Sequence, residues 1–141
     1  AHRASAEGNA AADFLAKRPG EVNYDCIPSI VYTFPELACV GLTEEQLIER
    51  NIPYRSATHP CSAIARARCL GEHEGMVKIL AHKRSDRVLG VHIVAPRASE
   101  MISECVLGME FGCSSEDIAR VIHGHPTFSE GLQEAAASLF F

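Results

Sequence analysis

Apolar residues in the middle of the chain fall into two short runs separated by a polar turn. Residues 76–82 and 87–94 are rich in valine, isoleucine and leucine, and Arg84-Ser85-Asp86 lies between them. Two such runs around a short polar segment are typical of a β-hairpin. Shorter extended segments bounded by turn residues are predicted at residues 30–33, 37–41 and 54–59.

Towards the C-terminus the apolar spacing becomes helical, which predicts a helix over residues 97–111 with Gly112 as its stop. Gly108 lies inside this helix, where glycine costs about 1 kcal/mol relative to alanine. It is either harmless or marks the close approach of another backbone, such as a helix of a partner subunit. The apolar residues that recur at intervals of three and four are Met101, Ile102, Cys105, Val106 and Met109.

Capping signals predict further helices. Thr43 followed by Gln46 is a capping box that begins a helix ending near residue 50, and Ser114 caps another helix. Helices are also expected at residues 4–18 and 129–139, whereas residues 62–69 are ambiguous. Strands followed by helices predict an α+β fold, with an antiparallel sheet and helices packed on one face.

Composition limits the classes of partner. A chain of 141 residues with 47% apolar residues can bury a core of its own. Its net charge is −5 and it has no basic stripe, so nucleic acid is not an expected partner. The apolar runs are too short to span a membrane. Because the chain opens with Ala1-His2-Arg3 and no signal-like region, we expect a fragment or a processed chain.

The six cysteines form no C-x-x-C pair, and Cys39, Cys105 and Cys113 stand among apolar neighbours. We interpret them as reduced core thiols of a cytosolic-type protein.

Candidate chemistry concentrates in His125-Pro126-Thr127-Phe128-Ser129-Glu130. A carboxylate five residues after an imidazole, across a proline turn, can bind one ring nitrogen and leave the other outward as a general base. From spacing alone, Thr127 and Glu130 could equally form only a capping box. His123 and His125 could bind a metal, but no Cys or acidic residue stands at metal spacing, so none is expected.

Several ordered motifs together resemble the C-terminal interface domain of the flavin-dependent disulfide reductases. The resemblance implies that residues 1–22 are the tail helix of a preceding flavin-binding region and residues 23–141 the dimerisation domain. It also implies cis peptide bonds at Phe34-Pro35 and His125-Pro126, an uncommon geometry. The motifs lie at residues 23–33, 35–36, 40–45, 75–80, 87–93, 116–120 and 123–130.

In this family, the resemblance implies, His125 and Glu130 form a catalytic acid–base pair. His125 and the backbone of Pro126 would face the flavin of the partner subunit, and His123 would line the substrate channel. The parent enzyme would be a homodimer that uses FAD and NAD to oxidise a dihydrolipoyl group. The resemblance implies that this group would belong to the acyltransferase of a 2-oxo acid dehydrogenase complex. Part of the helical layer over residues 101–109 would be shared between subunits.

Two alternatives stay open at this point: a glutathione-type disulfide reductase that uses NADPH, or a dimerisation or docking module without chemistry. The chain lacks both the C-x-x-x-x-C redox motif and a G-x-G-x-x-G fingerprint. We therefore expect residues 1–141 alone to bind no flavin and to be inactive. The expected location is the cytoplasm, or the mitochondrial matrix in a eukaryote.

Overall fold

The computed structural model describes residues 1–140 and has a five-stranded antiparallel sheet at its centre, ordered β1-β2-β5-β4-β3. The strands are β1 Ser29–Val31, β2 Glu36–Gly41, β3 Tyr54–Pro60, β4 Met76–His82 and β5 Val88–Ala95. The helices are α1 His2–Leu15, α2 Glu44–Glu49, α3 Ala65–Leu70, α4 Ala98–Glu110, α5 Ser115–Arg120 and α6 Glu130–Ala137. The predicted α+β class and the β4–β5 hairpin are confirmed.

One face of the sheet carries the main core. Alternate side chains of β4 and β5, such as Val77 and Ile93, are fully buried and belong to one cluster with α4 and α6. Helix α4 packs over β2 and β5, while α6 packs over β3 and β4. The short helix α2 approaches the opposite face, where Glu44 forms an ion pair with Lys78 of β4.

The capping signals are confirmed. Thr43 accepts from the Gln46 backbone while the Gln46 side chain accepts from Thr43. Ser114 and Asp117 form the same reciprocal pair at the start of α5. Gly112 follows α4 at φ +71°, the left-handed conformation that ends many helices. The ambiguous segment, residues 62–69, lies in a 3-10 turn at Cys61–Ala63 followed by α3.

The glycine in α4 has a different explanation from an approaching backbone. A Cβ on Gly108 would lie 2.7 Å from Sγ of Cys113, within the same chain. Among the cysteines, Cys105 is buried and Cys113 half-buried against the core, whereas Cys69 is exposed. All six are unpaired thiols.

Helix α1 packs little against the rest of the chain. None of its residues is buried, and Phe14 is 77% exposed. It is held by a hydrogen bond of 2.8 Å between His2 Nε2 and the carbonyl oxygen of Pro28. The predicted domain boundary between residues 22 and 23 stays a prediction.

Asp86, in the hairpin turn, fixes the start of α5. It adopts φ +60°, and its carboxylate accepts from Ser115 Oγ at 2.7 Å and from the Glu116 backbone N–H at 3.0 Å. Arg55 of β3 reaches the same carboxylate at 2.5 Å and also donates to the carbonyl oxygen of Leu139 at 2.8 Å. The turn therefore ties α5 and the C-terminal end to the sheet.

Candidate functional site

The predicted site lies on the loop between α5 and α6. Phe128 is 5% exposed and anchors this loop in the core, while His125 stands out from the surface with 71% of its side chain exposed. The peptide bond between His125 and Pro126 is cis, as is that between Phe34 and Pro35. Both predicted cis bonds are therefore confirmed.

The loop brings His125 and Glu130 together. Nδ1 of the imidazole lies 2.7 Å from Oε1 of Glu130, the first residue of α6. An ionised carboxylate can only accept hydrogen bonds, so Nδ1 must carry the hydrogen. In the neutral ring Nε2 is then left as an acceptor, and no residue within 1–140 makes a hydrogen bond to it. The arrangement places a basic nitrogen on the exposed side of the loop.

Glu130 is held from a second direction. Its Oε2 accepts from the backbone N–H of Thr127 at 2.7 Å. This contact, and next the hydrogen bond from His125, hold the pKa of the Glu130 carboxyl below its ordinary value. The carboxylate is thus ionised at neutral pH, so its Oε1 accepts the hydrogen of His125 Nδ1 and orients the ring.

The alternative of a full capping box at Thr127 is wrong. Thr127 Oγ1 donates to the carbonyl oxygen of Gly124 at 2.7 Å, and no backbone N–H of α6 within residues 1–140 donates to it. Ser129 is the N-cap, and its side chain makes no capping bond. Of the two contacts of a capping box, only the one from the Thr127 backbone N–H to the Glu130 carboxylate is present. This contact orients the Glu130 side chain and leaves the N–H groups at the start of α6 without a side-chain cap.

His123 occupies a different environment from His125. Its side chain is 4% exposed, and its Nε2 lies 2.7 Å from Oε1 of Glu104 in α4. Its Nδ1 lies 2.9 Å from the carbonyl oxygen of Val121. Sequence reasoning missed Glu104, which stands 19 residues away and carries no motif. The substrate-channel role of His123 stays a prediction.

A cleft of about 380 Å³ borders the turn at residues 126–129. Within residues 1–140, no group of three or more His, Cys, Asp or Glu side chains could hold a metal ion. None of the helices α1–α6 within residues 1–140 is long and apolar enough to cross a bilayer.

The residues that line the cleft beside the turn are Arg66, Arg97, Glu100, Met101, Pro126, Thr127, Phe128 and Ser129.

Comparison with known proteins gives close relatives. The chain is 51% identical over 140 residues to dihydrolipoyl dehydrogenase 1, mitochondrial, of Arabidopsis thaliana, covering 99% of this chain and 28% of that protein. It is 49% identical over 140 residues to the dihydrolipoyl dehydrogenase of Trypanosoma brucei brucei, covering 99% and 29%. The chain thus spans less than a third of the length of these relatives.

The fold is also that of a solved structure. The crystal structure of LpdA from Mycobacterium tuberculosis aligns with a TM-score of 0.86 and 25% identity, over 93% of this chain and 29% of that one. A family described as "Pyridine nucleotide-disulphide oxidoreductase, dimerisation domain" matches residues 27–136. The chain therefore belongs to the dimerisation-domain family of the pyridine nucleotide-disulphide oxidoreductases.

Proposed function

We propose that this chain is the dimerisation domain of a dihydrolipoyl dehydrogenase, in which His125 and Glu130 form the acid–base pair for thiol oxidation. One observation carries the proposal: Nδ1 of His125 is bound to Glu130 at 2.7 Å while the opposite edge of the ring faces outward. The identity to dihydrolipoyl dehydrogenases over nearly the whole chain supports the choice of substrate class.

The first step of the proposed reaction is removal of a proton from the substrate. Nε2 of His125 takes the proton from one thiol of the dihydrolipoyl group, because the thiolate and not the thiol is the nucleophile. Glu130 stabilises the imidazolium that results. The thiolate attacks one sulfur of the parent enzyme's redox disulfide; that S–S bond breaks and a mixed disulfide forms. The imidazolium gives its proton to the enzyme sulfur that leaves, and His125 then takes the proton of the second substrate thiol. The resulting thiolate attacks the substrate sulfur of the mixed disulfide, and that S–S bond breaks. The second enzyme sulfur leaves and takes the proton from His125, so the products are oxidised lipoyl and a reduced enzyme dithiol.

The exposed turn at His125 and Pro126 is suited to contact a cofactor and a disulfide that lie outside this chain. His125 protrudes and Pro126 beside it is also exposed, so both can face the flavin and disulfide of a partner subunit. The chemistry that a bound FAD would supply is electron transfer from the dithiol to NAD. The sequence offers no glycine-rich phosphate loop for either cofactor, so this chain contributes the base alone.

The partner subunit in this proposal is a second copy of the parent chain. Large apolar side chains stand exposed at the ends of α4 and α5, where Leu107 is 62%, Phe111 83% and Ile122 95% exposed. A two-fold dimer that covers them should bury more than about 1,200 Å² in total. Residues 1–22 would then belong to the flavin-binding region of the same subunit.

Three further parts of the proposal follow from the same assignment. His123 would lie beside the substrate channel. The dihydrolipoyl group would be presented by the acyltransferase of a 2-oxo acid dehydrogenase complex. The location would be the cytoplasm or, in a eukaryote, the mitochondrial matrix, as the name of the Arabidopsis relative suggests.

The test uses the full-length protein that contains this chain. We expect NAD reduction with dihydrolipoamide and little NADPH oxidation with glutathione disulfide. The reverse preference would indicate a glutathione-type reductase. Absence of both activities in a folded, flavin-containing dimer would favour a docking module. Residues 1–141 alone should be colourless and inactive. A yellow, active fragment would contradict the proposal that the flavin and the redox disulfide are supplied by other parts of the parent enzyme.

A further inference from the structure

The loop that carries His125 has little apolar anchoring of its own before Phe128. Val121 is 54% and Ile122 is 95% exposed, and His125 itself is 71% exposed in its side chain. A base on such a segment needs tethers other than core packing, because a small displacement of a catalytic group has a large effect on rate.

The inward-facing residue of this segment is His123. One edge of its ring reaches α4, with Nε2 at 2.7 Å from Glu104 Oε1. The other edge binds the loop itself, with Nδ1 at 2.9 Å from the carbonyl oxygen of Val121. A single buried imidazole therefore ties the loop to α4 just two residues before His125.

Helix α6 supplies a second tether to the same carbonyl. Nε2 of Gln133 donates to the carbonyl oxygen of Val121 at 3.0 Å and to that of Ala119 at 3.2 Å. Val121 thus receives donors from both sides, and both lone pairs of its carbonyl oxygen are used. Glu104, His123, the Val121 carbonyl and Gln133 form a continuous bridge from α4 across the loop to α6, which we call the loop clamp.

The two histidines of the loop have different hydrogen-bond partners. Both ring nitrogens of His123 are engaged within the fold, Nε2 with Glu104 and Nδ1 with the carbonyl oxygen of Val121, so neither is open to a substrate. His125, by contrast, keeps an open Nε2. One histidine holds the loop and the other transfers the proton.

We propose that Glu104 and Gln133 are positioning residues for His125, acting through His123 and the Val121 carbonyl rather than by contact with substrate. This inference rests on the proposed function and names two residues that serve it. Glutamine at position 104 can preserve the clamp, since its amide can donate to Nε2 of a neutral His123 whose Nδ1 still donates to Val121. Alanine cannot, because it leaves the buried ring nitrogen without a partner.

The experiment compares three variants of the full-length flavoenzyme: Glu104→Ala, Glu104→Gln and, as control, Glu49→Ala. Glu49 is an exposed residue of α2 whose side chain has no hydrogen-bond or ion-pair partner within residues 1–140. Flavin reduction by dihydrolipoamide and by NADH is followed by stopped-flow absorbance. Reduction by NADH needs no thiol base, so it reports on the fold and the flavin site. We expect Glu104→Ala to slow the thiol reaction by about 10- to 100-fold, with the NADH reaction unchanged. Glu104→Gln and Glu49→Ala should stay within about twofold of the unmodified enzyme.

A double variant separates this inference from the proposed function. If Glu104 acts through His125, Glu104→Ala should slow the thiol reaction no further in a His125→Ala background, because coupled residues are not additive. Impairment by His125→Ala with a normal rate for Glu104→Ala would overturn the loop clamp and leave the proposed function standing. Equal loss of both half-reactions in Glu104→Ala, or full additivity, would also overturn it. A normal rate for His125→Ala would overturn both.

Discussion

Replacing Glu130 by glutamine tests the acid–base pair with a minimal change of shape. The carboxylate accepts two hydrogen bonds, from His125 Nδ1 and from the Thr127 backbone, each at 2.7 Å. An amide has only one oxygen, so its NH2 group must face one of these two donors. If it faces His125, the ring can restore the bond only by moving its hydrogen to Nε2, which removes the outward basic nitrogen.

The size of the effect follows from the bond that is lost. A hydrogen bond to a charged group contributes about 1.5–3 kcal/mol, and each 1.36 kcal/mol changes a rate about tenfold. The Glu130 side chain is 24% exposed, so solvent screening favours the lower half of this range. We expect kcat for dihydrolipoamide oxidation to fall about 10- to 50-fold, with a KM that changes little.

The assay is steady-state turnover of the full-length variant, with Glu134→Gln as control at an exposed glutamate of the same helix. Thermal unfolding of both variants shows whether the fold is kept. A Glu130→Gln enzyme with unchanged kcat would refute the reasoning. So would a loss larger than that of His125→Ala, since the carboxylate acts only through the imidazole.

The remaining predictions concern the same chain. His125→Ala should lower kcat for thiol oxidation about 10²- to 10⁴-fold with little change in KM, and turnover like the wild type would exclude a catalytic role. Folding lowers the pKa of Glu130, so this residue contributes stability at pH values above its ordinary pKa of 4.5, and that stability is lost as the pH falls through the folded pKa. A ¹³C titration of its carboxyl should show the lowered pKa. His125→Ala should raise this pKa only in part, because the hydrogen bond from the Thr127 N–H is the larger cause of the shift. Gly108→Ala should destabilise the domain by about 1 kcal/mol through contact with Cys113 Sγ, and in a Cys113→Ala background it should instead stabilise, both by thermal unfolding.

Much of the fold was predictable because local signals agreed with the global arrangement. The capping residues Thr43 and Ser114 act on neighbours three positions away, and the β4–β5 hairpin is visible as two apolar runs around a polar turn. The pairing of His125 with Glu130 was also within reach, since a short turn separates the two residues. The sequence left open whether Glu130 faces the ring or the helix end.

What the sequence could not predict depends on contacts between distant elements. Glu104 meets His123 only because α4 and the loop before α6 pack against one another. For Gly108 the sequence left open a harmless glycine or the close approach of another backbone, whereas the atom nearest to it within the chain is Sγ of Cys113, placed there by the turn after α4. Neither contact leaves a periodic or spaced signal in the chain, so only tertiary structure identifies it.

We propose that His125 serves the redox site of the other subunit. Mixing full-length subunits that carry His125→Ala with subunits that carry serine in place of a redox cysteine tests this claim most directly. Each homodimer should be nearly inactive. If the base acts across the two-fold axis, hybrid dimers unite an intact disulfide with an intact His125, and dihydrolipoamide oxidation should recover at one of their two sites. Hybrid dimers as inactive as both parents would contradict the account.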